Sequence, residues 1–327
     1  LMTSLSIQEI ALDQQQHYED VIPLVYASEN SLSTLTQVHE WLGENKERLL
    51  EQLSRHGAIL FRGLPVNSDS DFDSVIQSFG LKNFTYAESL SNAVRRNRTE
   101  RVFTANEAPA SVSIFLHHEM AQTPVYPSKL FFYCEQAAIS GGATPLCRSD
   151  ILLQELTKQA PEFVAACLKL GVRYSNVMPN IDDLESGQGR SWRSTLSTDD
   201  KSAAEDKLRK LGYQWEWLEQ DSLRVTTAVL PAVRENDNGR QVFFNQLIAA
   251  FRGWKDARNA TEKSIRFGDD SAISEEAMAK AIQIGDELSF DMLWQSGDVV
   301  LVDNFLVMHG RRPFEGQRRV LASLIAD

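Results

Sequence analysis

The chain has 327 residues, of which 43% are hydrophobic, and its 33 lysines and arginines against 45 aspartates and glutamates give a formal net charge of −12. This apolar content is enough for a folded core and excludes an intrinsically disordered chain. The acidic balance argues against nucleic acid or an anionic membrane as a partner, because phosphate binding needs a dense excess of Lys and Arg. No apolar run approaches the roughly 18 residues of a transmembrane helix, and no signal peptide opens the chain, so we expect a cytoplasmic protein.

The first hundred residues predict two helices and a short strand between them. From about Leu35 to His56 the apolar residues recur at near-helical spacing, and Gly57 follows as a helix C-terminus favours. The run AILFRGLP is apolar and is closed by Pro65, which indicates a strand. DFDSVIQSFG predicts the second helix. We interpret residues 1–100 as an N-terminal elaboration of the main domain.

The remaining chain predicts strands on both sides of a mixed segment. Short runs rich in Phe, Val and Tyr and broken by Pro or Gly are typical of strands, and they are VFTANEAP, SVSIFLHHEMA, KLFFYCEQA, ATPLCRS and, later, LRVTTAVLPAV, RQVFFNQ, DVVLVDNFLVM and RRVLASLIA. Helices are predicted at about residues 150–168 and 198–211 and in EEAMAKAIQIGDEL. We therefore predict one α+β domain, mainly β, whose antiparallel strands in residues 101–149 and 220–327 are interrupted by an insertion at residues 150–219.

The densest group of potential metal ligands lies in one predicted strand, at His117, His118 and Glu119. Side chains two residues apart point to the same face of a strand, so His117 and Glu119 converge while His118 points away. An isolated H-x-E pattern is nevertheless more often a hydrogen-bonded pair than a metal site. The pairing of His118 with Glu119 would require a local twist or bulge.

A second histidine, His309, follows the apolar run that begins at Gly297. Two histidines and one carboxylate on a β scaffold form the facial triad that suits Fe(II), because these three ligands leave other coordination positions open. The alternative is that His309 is a hydrogen-bonded core histidine. We predict that His117, Glu119 and His309 form a metal site.

Arginine pairs and a glycine turn offer an anchor for a carboxylate near this site. Arg318 and Arg319 open the final predicted strand, and because neighbours on a strand face opposite sides, one of them points into the protein and the other into solvent. A guanidinium pairs bidentately with a carboxylate such as the distal one of 2-oxoglutarate. Thr144 follows the turn formed by Gly141 and Gly142, and its hydroxyl could serve the same carboxylate.

With these residues in view, the chain resembles the Fe(II)/2-oxoglutarate-dependent dioxygenases of the taurine dioxygenase (TauD/TfdA) superfamily, and most of all its clavaminate synthase-like members. The resemblance runs from about Phe103 to Ile325 and rests on an ordered series of motifs: FTANEAP, HHEMAQTP, PSKLFFYCE, GGATP, WEWLEQD, GWKDARNA, RFGDD, WQSGDVVLVDN, HGRRPF and RRVLASL. It implies a double-stranded β-helix (jelly roll) core with the metal between its two sheets.

The resemblance also implies residue roles, cofactors and a reaction. By position in the motifs, His117, Glu119 and His309 match the iron ligands, Arg319 matches the arginine that binds 2-oxoglutarate, and Thr144 matches a threonine that assists it. The implied cofactors are Fe(II), 2-oxoglutarate and O2, and the implied products of the cosubstrate are succinate and CO2. The carboxylate ligand is present, which favours hydroxylation or another oxidation over halogenation.

The expected substrate is a small molecule, and we favour an amino-acid-derived one, free or tethered to an aminoacyl carrier protein. Asn106 and Arg193 are candidate substrate contacts, although Asn106 is equally suited to holding a turn and Arg193 to the surface. Two alternatives stay open at this point. One is a zinc hydrolase, which shares the ligand types but would ordinarily use an H-E-x-x-H helix that is absent here; the other is a metal-binding jelly roll without turnover.

Overall fold

The computed structural model describes residues 6–28, 33–253 and 264–326. Most of the GWKDARNA motif, residues 254–260, lies outside these ranges. In the described part of the chain, no helix has both the length and the apolar character needed to span a membrane. The helices are α1 Leu35–His56, α2 Asp69–Gln77, α3 Ser149–Gln159, α4 Pro161–Leu170, α5 Trp192–Leu196, α6 Lys201–Lys210, α7 Leu247–Gly253 and α8 Glu275–Leu288.

Twenty-two strands, several of only two residues, are distributed along the described residues. They are β1 Ile7–Ile10, β2 Gln16–His17, β3 Val21–Ile22, β4 Leu24–Ser28, β5 Ala58–Arg62, β6 Asn83–Phe84, β7 Phe103–Thr104, β8 Ile114–His117, β9 Lys129–Gln136, β10 Ser140–Gly141, β11 Thr144–Arg148, β12 Val172–Met178, β13 Gln214–Trp217, β14 Leu223–Thr226, β15 Arg234–Glu235, β16 Gln241–Val242, β17 Ile265–Phe267, β18 Phe290–Met292, β19 Val299–Asp303, β20 Val307–Arg311, β21 Phe314–Glu315 and β22 Arg319–Ile325.

Two sheets form the core. The larger has the order β1-β4-β5-β19-β9-β22-β6, with β7 also paired to β22, and the smaller has the order β18-β11-β20-β8. All pairs in the two sheets are antiparallel except β4 with β5. Leu130 and Phe132 of β9 belong to the same buried cluster as Leu146 of β11, whereas Phe131 and Tyr133 belong to a second cluster. The larger sheet is therefore buried on both faces, and the predicted jelly-roll core is confirmed.

Helix α1 covers the outer face of the larger sheet. Thr34 caps it through a reciprocal capping box with Gln37, and Gly57 ends it in the left-handed conformation at φ 91°. Its buried residues Val38, Leu42, Leu49 and Leu53 join the cluster that contains Phe131. The AILFRGLP run forms β5, as predicted, and lies between β4 and β19.

The insertion strands β12 and β13 belong to a separate antiparallel sheet, in the order β13-β14-β12-β17, whose strands β14 and β17 come from beyond residue 219. We expected LRVTTAVLPAV to supply a jelly-roll strand, but its strand β14 pairs with β12 and β13 instead. The apolar pattern that predicts a strand does not say which neighbour completes its hydrogen bonds. The single helix expected at about residues 150–168 is also two helices, because α4 begins at Pro161, whose nitrogen cannot donate to the preceding turn.

Candidate functional site

Strand register brings the two histidines together. β8 ends at His117, and β20 pairs with it so that His309 lies directly opposite His117, with 4.4 Å between the ring centroids. Glu119 follows just beyond the end of β8, where its backbone N–H donates to Oδ1 of the buried Asn304 at 2.8 Å. The side-chain amide of Asn304 also donates hydrogen bonds to the carbonyls of Glu119 and Pro127, so Asn304 fixes the backbone of the residue that carries the carboxylate.

The three side chains form a cluster with the geometry of a metal site. Their candidate ligand atoms all lie within 4.8 Å of one another, and Oε2 of Glu119 is 3.4 Å from Nε2 of His117 and 3.9 Å from Nε2 of His309. Nδ1 of His117 lies 2.8 Å from the carbonyl of Phe115. A carbonyl only accepts, so Nδ1 carries the proton and Nε2 keeps its lone pair for a metal. The residues present therefore fit a divalent iron ion.

The charge of this cluster is set by burial and by Arg95. Burial by itself would raise the pKa of Glu119, but Arg95, whose Nη2 is 2.5 Å from Oε1, and the two histidines outweigh it and hold this pKa well below its usual value. Burial, and next the proximity of His117, lower the pKa of His309 well below its usual value. Glu119 is thus ionised and His309 neutral near neutral pH, which are the forms that bind metal.

His118, the first residue after β8, points away from the cluster, as the sequence predicted. Its Nδ1 lies 2.5 Å from the carbonyl of Asn304, and its ring packs against Phe244. Complete burial lowers the pKa of His118 to about 3, so it stays neutral. We infer that His118 belongs to the core and takes no part in metal binding.

The cluster opens into a cavity of about 250 Å³, near the lower end of the roughly 300–1,000 Å³ of small-molecule sites. His117, Glu119 and His309 line it together with Thr144 and Arg318. Arg318 donates from Nε to the carbonyl of Gly142 at 3.0 Å, and its Nη2 lies 3.5 Å from Oγ1 of Thr144. Burial lowers the pKa of Arg318 to about 10, so its guanidinium remains charged at neutral pH.

The expected placement of Arg319 is wrong. Arg319 is exposed and donates from Nε to Glu135 at 2.9 Å, whereas Arg318 lines the cavity. Val320 shares the inward face with Arg318 and also lines the cavity. A bulge interrupts the pairing of β22 with β9 between Arg319 and Val320. Face alternation predicts that one of the two arginines points inward, but the motif alignment selected the outward one.

The two predicted substrate contacts have different outcomes. Asn106 lines the cavity, but its amide holds the cavity wall, donating to the carbonyl of Gly187 at 3.0 Å and accepting from the N–H of Ala108 at 2.9 Å. The prediction that Arg193 contacts the substrate is wrong, because Arg193 does not line the cavity. Its Nε donates to Asn180 at 2.7 Å and its Nη1 to Asp199, since the short helix that carries it faces the insertion's own loops.

Among the cavity residues, Gln122 and Gln188 were not identified from the sequence, and the loop of Arg95 was favoured as a solvated one. Arg95, Gln122, Gln188 and Arg311 all line the cavity. Arg311 uses Nη1 and Nη2 to bind the carbonyls of Ala108, Pro109 and Val112, and so shapes the wall. Arg95 and Gln188 lie outside helices and strands, where no periodicity indicates which side chains point inward. The sequence could have indicated that Arg311 points inward, because Arg311 lies two residues beyond His309 and side chains two residues apart share one face of a strand.

Comparison with known proteins agrees with the metal site that the geometry indicates. Residues 22–324 match the model of the family described as taurine catabolism dioxygenase TauD, TfdA family. The chain is 39% identical over 333 residues to a clavaminate synthase-like protein of Arabidopsis thaliana, covering 99% of each chain. It is 31% identical over 292 residues to the dapdiamide synthesis protein DdaC of Enterobacter agglomerans, covering 84% of each.

A solved structure has the same fold at low sequence identity. PvcB of Pseudomonas aeruginosa superposes with a TM-score of 0.56 at 13% identity, covering 98% of this chain and 91% of that one. Family membership decides against the zinc hydrolase and against the jelly roll without turnover. The chain belongs to the TauD/TfdA family and is an Fe(II)- and 2-oxoglutarate-dependent dioxygenase.

Proposed function

We propose that this oxygenase hydroxylates a C–H bond of a small, amino-acid-derived substrate, free or tethered to a carrier protein, with release of succinate and CO2. The observation that carries the proposal is that two imidazole Nε2 atoms and one carboxylate oxygen converge at the wall of a cavity that also exposes Arg318. The similarity to a clavaminate synthase-like protein and to a dapdiamide synthesis protein supports a small-molecule substrate.

In this proposal His117, Glu119 and His309 hold the iron, and Arg318 with Thr144 holds the distal carboxylate of 2-oxoglutarate. The bound iron supplies the oxidation by O2 that is coupled to decarboxylation of the cosubstrate. Arg318 takes the role that we expected for Arg319, because only its guanidinium reaches the cavity. A fixed charge in a partly buried position pairs with a carboxylate more strongly than a solvated one does.

The side chains of the protein itself orient and shield the reacting groups. The hydrogen bond from His117 to the Phe115 carbonyl fixes the tautomer that presents Nε2 to the metal. Arg95 keeps Oε1 of Glu119 engaged, so that Oε2 faces the histidines. The apolar side chains of Met120, Phe132 and Val320 line the same cavity and exclude water from it.

The test is succinate release with Fe(II), 2-oxoglutarate and O2. We expect His117→Ala and His309→Ala to abolish it, since each removes one of three ligands. His17→Ala is the matched control, because His17 is an exposed histidine in a short surface strand. Turnover at the wild-type rate in either ligand variant would refute the assignment, and gain of one oxygen by mass spectrometry identifies hydroxylation.

A further inference from the structure

Six buried polar atoms on residues that line the cavity have no hydrogen-bond partner among the described residues. They are Nε of Arg95, Oε1 of Gln122, Oε1 and Nε2 of Gln188, Nδ1 of the iron ligand His309 and Nε of Arg311. Gln122 and Gln188 are each 6% exposed, and the side chain of Arg95 is 8% exposed. Leaving such a group unpaired costs about 1–3 kcal/mol, so native proteins pair nearly all of their buried polar groups. Six around one cavity indicate a site built for a polar ligand.

The iron and its cosubstrate do not account for these atoms. The proposed iron ligands are His117, Glu119 and His309, and the proposed cosubstrate anchors are Arg318 and Thr144. Arg311 is the third arginine of the cavity, but backbone carbonyls occupy its two terminal nitrogens and only its Nε is without a partner. Arg95 is therefore the cavity arginine with the most donors available to a second anion.

Arg95 is fixed in a position next to the metal cluster. Its backbone N–H donates to the hydroxyl of Tyr86 at 3.2 Å, and its guanidinium lies 5.3 Å from the centroid of the Phe103 ring. One terminal nitrogen contacts Glu119, which leaves most of its five N–H donors for a ligand. A carboxylate bound there would lie beside the metal ligand Glu119, where a substrate must place its reacting C–H.

The formal charge of the cavity also favours an acid. Three arginines and two glutamates, the buried Glu119 and the exposed Glu185, line the cavity, leaving a formal excess of one positive charge. A divalent iron ion and the dianion 2-oxoglutarate cancel each other, so the excess persists when both are bound. In a cavity of low dielectric constant this excess attracts a negatively charged substrate.

We propose that Arg95, Gln122 and Gln188 form a substrate subsite that binds a free carboxylate, with the two amides bonding to an amide or amino group beside it. The inference rests on the proposed function and narrows it to amino acids or N-acyl amino acids whose carboxyl group is free. An aminoacyl group held on a carrier protein through a thioester has no such carboxylate at that position. The subsite therefore selects the free acid over the carrier-bound form.

Matched pairs of ligands test this subsite. The twenty amino acids and their N-acetyl derivatives are compared with the corresponding primary amides, which differ in the carboxylate alone. Succinate release is measured with the full chain, Fe(II) and 2-oxoglutarate, and calorimetry measures binding of the same compounds to enzyme loaded with Mn(II) and 2-oxoglutarate. We expect at least one acid to bind and to stimulate succinate release at least tenfold more than its amide does.

Variants then assign the preference to the residues. Arg95→Met is expected to reduce the acid-to-amide ratio in binding to threefold or less. Because Arg95 also contacts Glu119, Gln188→Leu provides an independent variant, expected to weaken acid binding about five- to twentyfold, as loss of one or two hydrogen bonds would. Arg193→Met, an arginine outside the cavity, is the matched control and is expected to keep the wild-type ratio.

The outcomes separate the subsite from the function on which it rests. If the enzyme makes succinate but amides bind and stimulate as well as acids, or no acid binds, the subsite is wrong and the oxygenase assignment stands. Retention of the acid preference in Arg95→Met together with wild-type binding in Gln188→Leu would also overturn it. If no succinate forms with Fe(II) and 2-oxoglutarate under any condition, the proposed function and the subsite fail together.

Discussion

Adjacent arginines at the start of β22 provide a matched pair for testing where 2-oxoglutarate binds. Arg318→Met removes a guanidinium that lines the cavity, whereas Arg319→Met removes an exposed one of the same chemistry. Loss of one partner of a desolvated charge pair costs about 2–4 kcal/mol, which corresponds to a rise of about 30- to 1,000-fold in KM for 2-oxoglutarate. An exposed ion pair contributes about 0–1 kcal/mol, so we expect less than a fivefold change for Arg319→Met.

The structure indicates why the substitution Arg319→Met should be tolerated. Glu135, the partner of Arg319, keeps its two contacts with Arg98, at 2.9 and 3.3 Å, when Arg319 is removed. Both variants are assayed by succinate release as a function of 2-oxoglutarate concentration at saturating Fe(II). A large rise in KM for Arg319→Met, or an unchanged KM for Arg318→Met, would refute the placement of the cosubstrate.

Three further changes give measurable effects. Thr144→Val removes the hydroxyl that accepts a hydrogen bond from Trp294 at 2.9 Å and faces Arg318. Losing one hydrogen bond of about 1 kcal/mol should raise the KM for 2-oxoglutarate about fivefold. An unchanged KM would contradict this prediction. Gly142→Ala is expected to raise the same KM, because Gly142 has a φ of +74° and a new Cβ would lie 3.0 Å from Cδ of Arg318; circular dichroism checks that the fold is retained. Burial raises the pKa of Asp303 from 3.8 to about 6. Between pH 3.8 and pH 6 this carboxyl is therefore protonated in the folded state and ionised in the unfolded state, and above pH 6 its buried charge destabilises the folded state. Asp303→Asn keeps an acceptor for the N–H of Phe305. It should therefore stabilise the protein by about 1 kcal/mol at pH 8 but not at pH 4.5. Thermal melts at the two pH values measure this difference, and equal shifts in melting temperature would contradict the prediction.

The sequence grouped His117 and Glu119 by the alternation of side chains along a predicted strand, although β8 ends at His117 and Glu119 lies in the turn that follows. Side chains two apart on a strand share a face, so His117 and Glu119 were paired without knowledge of the tertiary structure. The sequence did not predict which of Arg318 and Arg319 faces inward, since a bulge beside Glu135 interrupts the register at that point. Alternation narrows the choice to two residues, and only the pairing with β9 selects one.

The rest of the cavity depends on loops whose conformation is set by distant contacts. The segment that carries Gln188 is held by Arg190, which binds the carbonyls of Tyr86 and Ser89 across about a hundred residues of sequence. Such contacts leave no periodic pattern to interpret, so Gln188 and Arg95 were not singled out as inward-facing. The partner of β14 was likewise unpredictable, because a strand's composition does not specify its neighbour.

The most direct test of the metal and cosubstrate site is an anaerobic titration of the protein with Fe(II) and 2-oxoglutarate, followed by visible absorption. We predict a weak charge-transfer band that requires both additions and is lost in His309→Ala. The absence of a band in the wild-type protein, or its persistence at full intensity in His309→Ala, would contradict the assignment of this cluster as the iron site.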